Sequence, residues 1–149
     1  MKLEEEIKQR KFESPAQKAV LNVMFTANWL STAFRDNFKP FGITAQQYNV
    51  LRILRGRYPN AANPSEIKEV MLDKNPDLTR LCDRLCAAGF IKRTIDDANR
   101  RKMNIIISQK GLDLLANMDD KVRESQKQMN HLSEKECETL SSLLDKMRG

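Results

Sequence analysis

One stretch narrows the folding options of this chain more than any other: Asn75 to Ser108, which reads NPDLTRLCDRLCAAGFIKRTIDDANRRKMNIIIS. Asn75 can cap a helix, and Pro76 suits a first helical turn because that position needs no N–H donor. Leu78, Leu81, Cys82 and Leu85 follow at the i, i+3, i+4, i+7 spacing that places them on one helical face. Gly89 is the expected stop. Phe90 to Ile95 and Met103 to Ile107 are short and β-prone. Between them, Asp96 to Lys102 is a polar turn with three adjacent cations, Arg100, Arg101 and Lys102. Helix, strand, basic hairpin tip, strand is the order of a winged helix, a unit that offers a helix to the major groove and a loop to the minor groove.

The segments upstream fit that unit. Thr44 and Gln47 have the spacing of a capping box, and Ile43 with Tyr48 that of a hydrophobic staple, so a helix starts here, turns Tyr48, Leu51 and Leu54 inward and ends near Gly56. Arg57 to Asn63 is a loop with room for a very short strand near Ala61. Asn63-Pro64-Ser65-Glu66 caps a further short helix with Ile67, Val70 and Met71 as its inner face. Asp73-Lys74-Asn75 then turns into the helix at Pro76, completing a helix-turn-helix whose second member is the recognition helix by position.

Outside this core the chain carries more apolar surface than a small domain needs. Ser14-Pro15-Ala16-Gln17 starts a helix that should run to Phe38, before Pro40 and Gly42. It has two apolar stripes, Val20, Val23, Ala27, Leu30 and Phe34 beside Leu21, Phe25 and Trp29, where a surface helix needs one. Downstream, Ser108 caps a long helix with Leu115, Met118, Val122, Ser125, Met129 and Leu132 in a heptad-like seam. Ser133 and Glu136 cap a last helix bearing Cys137, Leu140, Leu144 and Met147. Residues 1–13 are mostly charged and read as a frayed arm or a poorly anchored first helix. Seams of this kind need a partner, and a symmetric dimer supplies one, with two recognition helices about one DNA turn apart. Val20, Val23, Leu30, Met118, Val122, Met129, Leu140, Leu144 and Met147 are the candidate dimer contacts.

The expected class is mainly α with a small β-wing, a single domain over residues 1–149. Residues 44–108 form its winged helix-turn-helix lobe, and residues 14–38 and 109–149 its dimerisation helices. A net charge of +6 permits nucleic acid or an anionic surface as partner. Its placement says more: from Lys74 to Lys102 there are eight cations against four acids. Three cysteines, two of them within an apolar helical stripe, make no disulfide framework and suit a reducing compartment. With no signal-like apolar core and no run of membrane-spanning length, the chain reads as a cytoplasmic protein with no membrane partner. One histidine, His131, five scattered glycines and no nucleophile–base pattern leave no metal site, no cofactor and no catalytic group to assign.

The ordered set Asp83-Arg84-Leu85, Gly89 to Arg93, Asp96 to Arg101 and Ile107-Ser108-Gln109-Lys110-Gly111 resembles the core of the MarR family of bacterial transcription regulators. Ile43 to Leu54 is similar to the family's second helix. The departures are Asn99, where the family has a wing-bracing Asp, and Ile107-Ser108 in place of Leu-Thr. The resemblance implies a homodimer of triangular outline that binds a pseudo-palindromic operator, most often as a repressor. It also implies release from DNA by a small, often aromatic or phenolic, effector, or sensing of oxidants or metal ions.

Candidate sites follow. On the recognition helix, Thr79 and Arg80 are placed to reach bases, with Asp77 and Arg84 on the same face and Ser65, Lys74 and Asn75 near phosphate. Arg84 has a second reading, as the partner of a wing carboxylate. Arg100 is assigned to the minor groove, and Arg101 either joins it or folds back on Asp96 or Asp97. The bland reading of both sets is a solvated face. Phe25, Trp29, Phe34 and Tyr48 line a candidate effector pocket, against plain core as the alternative. Cys82 and Cys86 allow a redox-responsive regulator, against buried small hydrophobes. A winged-helix protein–protein adaptor without specific DNA binding is the reading from a different class.

Overall fold

A computed structural model describes residues 1–95, 103–129 and 131–149, with only the backbone at 128 and 129. Seven α-helices and two strands occur among the described residues: α1 Leu3–Glu6, α2 Pro15–Phe38, α3 Ala45–Arg57, α4 Pro64–Val70, α5 Leu78–Ala87, β1 Ile91–Ile95, β2 Met103–Ile107, α6 Gln109–Met129 and α7 Glu134–Arg148. The chain forms two compact units, residues 1–115 and 116–149. None of the described helices is long and apolar enough to cross a membrane.

Local chemistry sets most helix starts. Thr44 accepts from the Gln47 N–H at 3.2 Å while the Gln47 side chain accepts from the Thr44 N–H at 2.8 Å. Asn63 with Glu66 and Ser133 with Glu136 repeat this reciprocal box. At Ser14 the box is opened by one residue: Ser14 caps Gln17, but the Gln17 side chain accepts from the Glu13 N–H. The first residues are anchored, since α1 buries Leu3 and Glu4 pairs with Lys18 of α2.

In the first unit the core is Val50, Leu51 and Leu54 of α3, Ile67 and Met71, the apolar face of α5, Ile91 of β1, and Ile105 and Ile107 of β2, all buried. Each such side chain is worth about 1.5–3 kcal/mol when removed from water. The strands pair antiparallel from Ile91↔Ile107 to Ile95↔Met103. Ala62 adds a third backbone segment: it exchanges two 2.8 Å hydrogen bonds with Ile105, one residue from the expected short strand. Val70, expected inward, is 52% exposed. Helix α4 ends there and Met71 turns into the core in an extended conformation, so the two neighbours cannot share a face.

The flanking helices keep apolar surface in the open. Of the 24 residues of α2, only Phe38 is buried, while Val20, Val23, Met24 and Trp29 are exposed and Leu30 is half-buried. In the second unit α7 has no buried residue; Leu140 and Met147 are exposed and Leu144 and Val122 half-buried. Met118 departs from the expected dimer set: it is 0% exposed within the single chain and has no surface to offer a partner. The Met129 side chain lies outside the described residues.

Candidate nucleic-acid interface

The recognition helix is built by its buried face. Leu78, Leu81, Cys82 and Leu85 are all under 9% exposed, as their spacing predicts, and this fixes Thr79, Arg80, Asp83, Arg84 and Ala87 on the open side. The helix begins two residues later than Asn75 and Pro76 suggest. Asp77 is the cap, accepting from the Arg80 N–H at 3.1 Å. Asn75 is used differently: its N–H donates to Asp73 Oδ1 at 2.9 Å. The cap therefore passes from Asn75 to Asp77, the next residue with a side-chain acceptor. Asp77, on the face assigned to DNA, thereby also holds the helix start.

The turn before α5 is pinned from α3. Gln46 Nε2 donates to Asp73 Oδ2 at 2.6 Å, and Asn49 Oδ1 accepts from the Leu72 N–H at 3.0 Å. Lys74 Nζ donates to the Glu69 carbonyl at 2.9 Å, so its charge sits at the end of α4 beside the recognition helix. Ser65, in the first turn of α4, is exposed. Arg57 pairs with Glu66 at 3.1 Å and ties α3 to α4.

Two supports of α5 escape a reading by periodicity. Asp83, on the outward face, pairs with Arg93 of β1 and so joins the recognition helix to the wing. This contact and its hydrogen bond hold the Arg93 guanidinium above its ordinary pKa. The only sequence signal was an acid and a cation ten residues apart. The second support is the first turn of α6: Lys110 Nζ donates to the Ala88 carbonyl at 2.7 Å, and Ser108 Oγ to that of Gly89 at 2.6 Å. Among the described residues the side chains of Thr79, Arg80 and Arg84 make no hydrogen bond or ion pair. Arg100, Arg101 and the acids Asp96 and Asp97 offered as partners lie outside the described residues.

The aromatic set separates. Phe34, Phe38 and Tyr48 stack in series, with ring centroids 5.8 and 4.7 Å apart, and Phe38 and Tyr48 are buried core between α2 and α3. Phe25 is half-buried and Trp29 is 47% exposed, outside that stack. Cys82 is buried, which pushes its thiol pKa up, and Cys86 is half-buried. No group of three or more His, Cys, Asp or Glu residues that could hold a metal occurs among the described residues.

The recognition helix thus presents Arg80 and Arg84 outward, braced beside a two-stranded wing. The sequence model of the MarR family matches residues 43–103. The regulator PecS of Dickeya dadantii is 30% identical over 112 residues, 74% of this chain and 68% of its own. The chain belongs to the MarR family. A crystal structure of a MarR transcription factor from Planctomyces limnophilus shares 33% identity, with 91% of this chain and 98% of that one aligned at a TM-score of 0.70. The MepR–DNA complex of S. aureus has the same fold at 23% identity and TM-score 0.74, over 87% of this chain and 94% of that one. So does BpsR of Bordetella bronchiseptica, at 21% identity and TM-score 0.75, over 93% and 97%. As a MarR-family member the protein is a transcription regulator with a DNA-binding winged helix, not an enzyme.

Proposed function

We propose that the protein is a homodimeric, sequence-specific regulator, a repressor that occupies a pseudo-palindromic operator and leaves it when a small-molecule effector binds. The observation that carries the DNA half is the outward face of α5, where Arg80 and Arg84 stand exposed while the opposite face is buried. Thr79 and Arg80, in the first turn, read base edges; Lys74 and Ser65 meet phosphate, and Arg100 and Arg101 extend the contact from the wing. The dimer draws support from the open apolar surface of α2 and α7, with Val20, Val23, Leu30, Leu140, Leu144 and Met147 as contacts, joined by Val122 of α6.

The effector half draws on BpsR, whose DNA binding is regulated by 6-hydroxynicotinic acid. An aromatic effector here would use the surface around Trp29 and Phe25, next to the Phe34–Phe38–Tyr48 stack. It would act by preferring a spacing of the two recognition helices that the operator does not fit, and lower DNA affinity by that difference in binding. The redox reading is disfavoured at Cys82, whose buried thiol, with its pKa raised by that burial, holds little of the thiolate that reacts.

The test is binding to the duplex that the protein itself recovers from a randomised library, against random duplex, over a range of salt. Arg80→Ala should cost about 1–3 kcal/mol on the recovered duplex and relax its sequence preference. Lys74→Ala should weaken both duplexes alike and lower the salt slope by about 1. A protein with no preference for any duplex is an adaptor and not an operator-bound regulator.

A further inference from the structure

The C-terminus of the recognition helix has every reason to fray. A helix leaves its last carbonyls without intrahelical donors, and α5 is only 10 residues long. Its end is nonetheless satisfied almost carbonyl by carbonyl. Gly89, at φ +77°, donates its N–H to Cys86 O at 2.9 Å, and Phe90 N–H reaches Leu85 O at 2.9 Å, the paired bonds of a Schellman stop. Ala88 N–H bonds to Arg84 O at 3.0 Å.

Past Ala87, the carbonyls of Ala88, Gly89 and Phe90 all accept from the start of α6 and the Ser108 that precedes it. Lys110 Nζ takes Ala88 O at 2.7 Å, Ser108 Oγ takes Gly89 O at 2.6 Å, and Ser108 N–H takes Phe90 O at 2.9 Å. Ser108 Oγ also accepts from Gly111 N–H at 3.1 Å, so the group that caps α6 also holds α5. The Lys110 ammonium lies 5.0 Å from the centre of the Phe90 ring, and its charge stands at the negative end of the α5 dipole.

We propose that Lys110, with Ser108, is a positioning residue for DNA recognition: the two clamp the end of α5 to the start of α6 and set the angle at which the recognition helix is presented. This rests on the operator-binding reading above. The lever is short but sensitive. A 10-residue helix is about 15 Å long, so a tilt of about 5° at its C-terminal joint moves its N-terminal readers by roughly 1 Å. That displacement takes a base-edge hydrogen bond out of its narrow distance range.

The experiment compares the full chain with Lys110→Met, which keeps the apolar stem and loses the donor, and Lys110→Arg, which restores a donor and a charge. Affinity is measured for the duplex recovered by the wild type and for random duplex across a salt series, alongside amide hydrogen exchange at Gly89 and Phe90. Lys110→Met should lose about fivefold on the recovered duplex, the scale of one ordinary net hydrogen bond, with random-duplex affinity and salt slope unchanged and faster exchange at both amides. Lys110→Arg should recover most of the loss. Equal weakening on both duplexes with a reduced salt slope would make Lys110 a phosphate contact and overturn the proposal. Unchanged discrimination would overturn it too. A wild type without sequence preference would defeat the operator reading separately; the clamp then stands or falls on whether exchange at Gly89 and Phe90 accelerates in Lys110→Met.

Discussion

Replacing Gly111 with alanine puts the packing behind the recognition helix to a quantitative test. Gly111 sits in the first turn of α6, where propensity alone favours alanine by about 1 kcal/mol. Space argues the other way. A Cβ at Gly111 would stand 2.8 Å from Ile107 Cγ1, 3.2 Å from the Phe90 carbonyl carbon and closer still to the Phe90 oxygen. Carbon contacts are comfortable at about 3.5–4.0 Å, so the overlap with Ile107 alone is roughly 0.7 Å. Neither neighbour can yield cheaply, since Ile107 is 2% exposed and Phe90 O is held by the Ser108 N–H.

Overpacking of this kind costs about 1–3 kcal/mol, and loss of the Ser108–Phe90 hydrogen bond adds about 1 kcal/mol. After the propensity gain, Gly111→Ala should be destabilised by about 1–3 kcal/mol. For a chain of this size that lowers Tm by about 2–12 °C. Gly56→Ala is the matched control: Gly56 is also helical, and a Cβ added there would meet nothing within 4 Å, so the variant should be neutral or stabilised by up to about 1 kcal/mol. Urea titration at one protein concentration, followed by circular dichroism, measures both. If Gly111→Ala gains stability alongside Gly56→Ala, the close approach of α6 to Phe90 is not what holds this joint.

Two further outcomes are expected. Asp83→Ala and Arg93→Ala break the same exposed pair, each shifting stability by less than about 1 kcal/mol, but should move affinity for random duplex in opposite directions, because one removes an acid from the DNA-facing side and the other uncovers it; a shared direction in fluorescence anisotropy would refute this charge argument and leave the brace between helix and wing as the dominant effect of the pair. Burial raises the Cys82 thiol above its ordinary 9.0, so the native state favours the protonated form; the associated stability is full below about pH 9 and is lost as pH rises through the raised value. The stability advantage of wild type over Cys82→Ala should therefore shrink above about pH 9, and iodoacetamide at neutral pH should label Cys86 and Cys137 before Cys82.

What the sequence reveals about this fold is what neighbouring residues settle between themselves. Thr44 with Gln47, Asn63 with Glu66 and Ser133 with Glu136 are three residues apart, and each helix starts where its box predicts. The buried stripe of α5 is equally local, and it fixes which residues can face DNA. Legibility fails where two local signals compete or where partners are distant. Asn75 and Asp77 are both competent caps by residue type, and it is Asp77 that takes the role while the Asn75 N–H turns to Asp73. Val70 follows helical spacing, but α4 ends before that spacing can bury it. Gln46 with Asp73, Asp83 with Arg93 and Lys110 with Ala88 join elements whose separation has no period, so only the folded chain brings them together.

The division of labour on α5 also bears on how such a protein changes over time. The structural work of the helix is done by Leu78, Leu81, Cys82 and Leu85, by the Asp77 cap and by its backbone carbonyls. Thr79, Arg80, Arg84 and Ala87 lie open, and their side chains brace none of the described elements. Substitutions there are nearly free of folding cost, so the address read on DNA can drift, or be rewritten by an engineer, while the scaffold stays the same. Asp83 is the exception: it faces outward with the readers yet braces the wing, and a new specificity that needs this position must find Arg93 another partner.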